Sequence, residues 1–297
     1  MGILRPFTKL LPKRLRKSYQ VVSIVRMEGV IASGRASLRS SNINLSNLET
    51  PLQRAFNAPD VCAVALAINS PGGSPVQSSL IAKRVRSLAD EKGIPVIAFA
   101  EDVAASGGYW LACSADEIYA DSSSILGSIG VIFSGFGFNN LIEKYGIERR
   151  VYSAGENKGA LDPFQAEKAE DIDRLKSVQK IIHDSFKELV RSRRSDKIKE
   201  SDEVLFSGEF WTGVQATELG LIDGIGDLHS IMKERFGSNV NFKEIPLRKS
   251  WIKDRFGIGS VVALKGHHAH DTIIDCAIQT IEAVSYTHLT LPTSDLV

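Results

Sequence analysis

"VCAVALAINSPGGSPVQSSLIAKRVRSLADEKGIPVIAFA" (Val61–Ala100) decides the fold. The run Val61–Asn69 is almost continuously apolar, the pattern of a strand buried on both faces of a sheet. Ser74 and Pro75 then supply an N-cap and a first-turn proline. Val76, Leu80, Ile81, Val85 and Leu88 recur at helical spacing, and Gly93 supplies the stop. Pro95–Ala100 is a second apolar strand. Strand, helix, strand in this order implies parallel pairing through a right-handed crossover.

Working outward, Val21–Ile31 reads as a strand with a turn at Glu28–Gly29, and Glu117–Ala120 as another strand. Ile147–Tyr152 ("IERRVY") is strand-like. Pro163–Arg194 is a long amphipathic helix whose apolar stripe is Ile172, Leu175, Val178, Ile182, Phe186 and Leu189. Phe210–Phe236 reads as two helices with a glycine-rich connection. The expected class is α/β: repeated βαβ units followed by a C-terminal helical region.

A net charge of +1 gives no global pull toward nucleic acid. Cys62, Cys113 and Cys276 are far apart and form no metal or redox pair, so they read as buried free thiols. "GHHAH" (Gly266–His270) is short and isolated and reads as a solvated loop. The N-terminal arm, residues 1–20, is basic, with Ile3, Leu4, Phe7, Leu10 and Leu11 among its cations. It carries no apolar run of membrane-spanning length and no signal-peptide pattern; peripheral contact with an anionic lipid surface is the sharper reading of it. "VSYTHLTLPT" (Val284–Thr293) resembles an in-frame translation of a sequencing adaptor, so residues 284–297 are set aside as a non-native tail.

Two glycine turns bear on chemistry. "NSPGGS" (Asn69–Ser74) leaves a strand and opens a helix, where bare backbone amides can face a ligand. "ASGGYW" (Ala105–Trp110) puts Ser106 at the same edge of the sheet, just after the next strand. Either turn alone is as well explained by packing. A serine nucleophile needs a base, and no histidine precedes His183, which lies within the long helix. A histidine triad has no local motif behind it. A lysine base is the other known solution, and Lys158 stands in the loop "GENKGALDPF" (Gly155–Phe164). Ser128, in "ILGSIGV", could orient an amine or be a simple turn serine.

Together "NSPGG", "ASGGYW", "GSIGV", "GENKGALDPF" and "FWTGVQATELGLIDGIG", in this order and with these gaps, resemble the S49 serine peptidases, the signal peptide peptidase A family of bacteria. The similarity runs from about Val21 to Phe236. It implies a ClpP/crotonase-type fold, Ser106 as nucleophile, Lys158 as general base, Ser128 holding the lysine amine, and the Gly73 and Gly107 amides as oxyanion hole. It implies no metal or organic cofactor. It implies unfolded or hydrophobic peptide substrates, such as signal peptide remnants, and an octamer-like homo-oligomeric ring in which neighbouring subunits share a site. Typical members carry an N-terminal membrane span; without one here, the expected location is the bacterial cytoplasm or the cytoplasmic face of the membrane. The expected organisation is a basic arm to residue 20, a peptidase domain over 21–236, an extension over 237–283 and the tail. A crotonase-type acyl-CoA enzyme and a non-catalytic membrane-associated scaffold are the rival functions.

Overall fold

In the computed structural model, which describes residues 20–34 and 42–247, the chain runs β1 (Val21–Glu28), α1 (Leu45–Phe56), β2 (Val61–Ser70), α2 (Pro75–Lys92), β3 (Val96–Ala105), α3 (Gly107–Ala112), β4 (Glu117–Ala120) and β5 (Ile125–Gly127). It continues with α4 (Asn139–Lys144), α5 (Ala169–Arg194), α6 (Asp202–Leu205), β6 (Phe210–Thr212), α7 (Gly213–Glu218), β7 (Gly224–Ile225), α8 (Leu228–Phe236) and β8 (Asn241–Glu244). The N-terminal arm, the histidine run, Cys276 and the tail lie outside the described residues. The sheet order is β6-β5-β3-β2-β1-β8, with β4 pairing β3 and β7. Every pairing is parallel except β5 with β6. This is the expected α/β class. The sheet also takes in β8, so packing with the body continues past Phe236.

β2 is buried on both faces, as its apolar run requires. Val64, Leu66 and Ile68 join the larger core beneath α1, α2 and α3, while Ala63, Ala65 and Ala67 face Met232 of α8 with Ile97 and Phe99. The α2 boundaries follow the sequence: the Ser74 hydroxyl accepts from the Gln77 amide, and Gly93 closes the helix in the left-handed conformation at φ +63°. Its apolar stripe is narrower than the spacing suggested. Ile81, Val85 and Leu88 are buried, but Val76 and Leu80 lie on the outward face beside Lys83. α1 escaped the sequence reading although Asn44 caps it by accepting from the Asn47 amide and Leu48, Leu52 and Phe56 bury one side. Two further expectations change. Ile147–Tyr152 is exposed coil without a strand partner among the described residues, because strand propensity has no pairing edge to act on there. α5 begins at Ala169, and only its second half is anchored, through Phe186, Val190 and Arg194. Phe210–Thr212 pairs as a short strand before the two expected helices. Among the described residues no helix is long and apolar enough to cross a membrane.

β3 belongs to two partners in succession. Ile97–Ala100 pairs with β4, and Val103–Ala105 pairs with β5. Between them lies a bulge: pairing with β2 steps from Ile68↔Ala100 to Ser70↔Ala104. Asn69 fills the step, donating from Nδ2 to Asp102 Oδ2 at 2.7 Å and accepting from the Val103 amide at 3.2 Å. The bulge turns the end of β3 away from its first direction, and Ser106 leaves the sheet from that turned end.

The C-terminal end of α5 is locked to the sheet by a buried charge. Arg194, 2% exposed, donates to Gly220 O and, at 2.6 Å, to Asp223 Oδ2. Burial alone would push the Asp223 carboxyl up, but hydrogen bonds from Arg194, Lys197 and the Ile118 amide outweigh it and hold the group below its ordinary value. A lowered folded value means that this stability is complete above the unfolded value of about 4 and is lost as pH falls through the folded one. Asp223→Asn should therefore cost about 3 kcal/mol at neutral pH by stranding Arg194. Its loss of stability on acidification should also be shallower than that of the unmodified protein. Urea denaturation across pH checks both; a variant with an unchanged acid limb would show that Asp223 does not carry this linkage.

Candidate active site

Ser106 sits between β3 and α3 at φ +50° and ψ −118°. A non-glycine side chain pays roughly 1–3 kcal/mol for such a conformation and keeps it only where its surroundings over-determine it. Among the described residues four non-glycine positions have positive φ: Asp60, Ser106, Ser128 and Leu161. Three of the four fall inside the motifs singled out above, so backbone strain gathers in them.

The two glycine turns meet. A Cβ on Gly72 would lie 2.8 Å from both Gly107 N and Ser106 Cβ. A Cβ on Gly107 would lie 2.5 Å from Ser78 Oγ and 3.3 Å from Gly73 N. One on Gly108 would stand 2.5 Å from Ser70 O. Bare glycine on both sides is what lets "SPGG" pass directly over "SGG". The Gly72 carbonyl accepts from Ile31 N at 2.8 Å, and the Ser74 amide returns a bond to Ile31 O at 2.7 Å. In a trans peptide N–H and C=O point opposite ways. The Gly73 N–H is therefore aimed away from Ile31. Neither it nor the Gly107 N–H is used by the protein's own hydrogen bonding among the described residues. Two free amide donors thus flank one partly exposed serine hydroxyl, an arrangement able to hold a developing oxyanion.

Ser128 is tied to the same place through the backbone. Ser106 N donates to Gly127 O at 2.8 Å, and Ser128 N donates to Glu209 O at 2.7 Å. Ser128 itself stands at φ +51°. His183 is engaged at the Ser128 turn: its Nε2 lies 3.0 Å from Ile129 O, and since a carbonyl only accepts, that nitrogen carries the hydrogen. Cys113, buried beneath α3, has its thiol pushed up to about 12 by burial and is no nucleophile.

No hydrogen bond joins Lys158 to Ser106 or Ser128 among the described residues. The lysine is exposed, its amide donates to Gly155 O at 3.2 Å, and its ammonium makes no hydrogen bond or ion pair among the described residues. The excursion that carries it has its own small scaffold. Phe138 packs near Phe136 and Phe164, and the Arg149 guanidinium lies 4.7 Å from the Phe164 ring centre. Arg149 Nε donates to Asp162 Oδ2 at 3.0 Å, while the other Asp162 oxygen accepts from the Phe164 amide. Around this scaffold large apolar side chains face solvent, with Phe136 80% and Tyr152 92% exposed.

Sequence reasoning missed Gly72 as the direct neighbour of Ser106, although it stood in the quoted turn. It also missed Ile31, whose backbone aims the Gly73 amide; a lone apolar residue after a strand carries no signal for that task.

A family model described as Peptidase family S49 matches residues 89–236. A Brucella abortus protein named Na(+)/H(+) antiporter NhaA is 49% identical over 252 residues, which are 84% of this chain and 34% of that protein. An Enterococcus faecium protein named signal peptide peptidase SppA is 33% identical over 218 residues, 70% of this chain and 62% of that one. A Synechocystis sp. protein named as a protease is 32% identical over 211 residues, 69% of each. The chain thus spans about a third of the Brucella protein, whose name describes a molecule lying mostly outside the match.

The contact between the turns is directly testable. Gly72→Ala should cost about 1–3 kcal/mol from positive φ and crowding. It should also sharply slow labelling of Ser106 by a serine-directed phosphonate. Wild-type labelling would show that the turns need not touch.

Proposed function

The chain belongs to peptidase family S49, and on that premise we propose that it is a serine endopeptidase with Ser106 as nucleophile and Lys158 as general base. The observation that carries the reading is the strained Ser106 turn, flanked by the unused amides of Gly73 and Gly107. The Lys158 amine takes the Ser106 proton as Oγ attacks the scissile carbonyl, and the two amides hold the tetrahedral oxyanion. The ammonium returns the proton to the leaving amine, giving an acyl-enzyme. Water, activated by the same lysine, then releases the acid. Ser128 orients the amine. The scheme calls on no metal or organic cofactor.

Lys158 reaches Ser106 from a neighbouring subunit in this reading. Its exposed position supports this, as do the exposed large apolar side chains of the same excursion, Phe136, Leu141, Tyr145, Ile147 and Tyr152. A closed ring of identical subunits, octamer-like, satisfies every copy of that surface at once. Unfolded or apolar peptides suit a serine open at the sheet edge. Action in the cytoplasm or at the inner face of the membrane is the accompanying proposal; the basic arm that would touch lipid lies outside the described residues.

Ser106→Ala and Lys158→Ala should each abolish cleavage of a fluorogenic unfolded peptide while the assembly, sized by light scattering, persists. Mixing the two variants under conditions that exchange subunits should restore part of the activity. Full activity in either single variant sinks the dyad. Inactive singles that never complement would confine the site to one chain. Turnover of an acyl-CoA without peptide cleavage would instead favour the crotonase-type reading.

A further inference from the structure

α5 does more than pack. Phe186 stacks on Trp110 of α3 with ring centres 4.6 Å apart. Arg193 donates to Cys113 O at 3.1 Å and to Ala115 O at 2.7 Å, capping the end of α3. One turn before Phe186, the same helix reaches the Ser128 turn through His183, whose Nε2–H donates to Ile129 O at 3.0 Å. α3 begins at Ser106, so one rigid helix is fastened both to the nucleophile's helix and to the turn carrying Ser128.

Consider what holds that turn. Gly127 O is taken by Ser106 N, Ser128 N by Glu209 O, and Ser128 O by the Gly130 amide. Those bonds are backbone to backbone. The His183 bond to Ile129 O is the side-chain bond in the set, one residue beyond a serine held at φ +51°. A left-handed serine persists only where several constraints agree on it.

We propose that His183 is a positioning residue: by holding the Ile129 carbonyl it fixes the Ser128 turn, and so sets the direction of the Ser128 hydroxyl, relative to Ser106. It touches neither substrate nor reacting atoms. The inference rests on the roles given above to Ser106 and Ser128.

The test compares His183→Leu, which keeps bulk and loses the donor, with His183→Gln, whose amide can donate to the same carbonyl. The leucine variant should lose about tenfold to a hundredfold in kcat, the range of a misplaced catalytic group, with KM within about twofold. The glutamine variant should recover most of that loss at a similar thermal midpoint. A leucine variant with wild-type kcat, or a glutamine variant as impaired as leucine, overturns the proposal. Where leucine yields little folded protein, the rate of phosphonate labelling of Ser106 in the folded fraction is compared with the glutamine variant: slowed labelling supports the brace, and equal labelling refutes it. Ser106→Ala, assayed alongside, separates the two levels. Full hydrolytic activity in that variant removes the serine–lysine reading and this inference with it. A dead Ser106→Ala beside an unimpaired His183→Leu removes this inference alone.

Discussion

The bulge in β3 is the constraint from which the rest follows. A strand that kept its register would pair with one neighbour along its whole length and deliver Ser106 into the plane of β4. Two residues inserted against β2, Glu101 and Asp102, let the first half of β3 serve β4 and the second half serve β5. Asn69 holds the step with both ends of its side-chain amide. Ser124 adds a second clasp by donating to the carbonyls of Ala100 and Glu101. Because Asn69 also leads into Ser70-Pro71-Gly72-Gly73, the residue that pins the bulge is continuous with the turn that must meet Ser106. Register and site geometry are thus linked through Asn69.

That coupling explains why the glycines come in facing pairs. Once β2 and β3 end at neighbouring positions, their exit turns converge: a Cβ on Gly72 would occupy space already filled by the Ser106 turn, and one on Gly107 would run into Ser78 Oγ of α2 and crowd Gly73 N. The close approach leaves two amides with nothing of the protein's own to bond among the described residues. Leaving donors unpaired costs free energy, as does holding Ser106 and Ser128 at positive φ. Sites with such costs are where a fold departs from its own local rules.

Much of this was legible in the chain. The buried run Val61–Asn69, the Ser74 cap and the Gly93 stop require little beyond local chemistry, and the parallel order follows from strand–helix–strand. Val76 and Leu80 misled because helical spacing states that residues share a side, not which side meets the core. "IERRVY" misled because strand propensity yields a strand only where an edge exists to receive it. Ser106 and Gly107 were legible as a turn, but the strain at Ser106 depends on β5 holding its amide through Gly127, a contact across the sheet. Gly72 and Ile31 act through backbone atoms, to which side-chain identity is nearly blind. His183 read only as a residue within the long helix, and only the docked helix shows it bonded beside Ser128.

The molecule therefore divides by how its parts are packed rather than by sequence order. Ser106, Ser128 and the two amides stand on a sheet whose neighbouring elements lock them from several directions. Lys158 stands on an excursion whose contacts are mostly with itself, through Asp162, Arg149 and Phe164. α5 is where the two halves join: its first turns continue the exposed excursion, and its last turns are buried against α3 and fixed by Arg194. A group placed on the exposed excursion can, in the proposed assembly, be presented to the sheet of another copy without disturbing the strained serine, since among the described residues nothing that holds Ser106 passes through Lys158. Dividing the site this way puts the stored strain where the fold can support it and leaves the proposed base free to arrive by assembly.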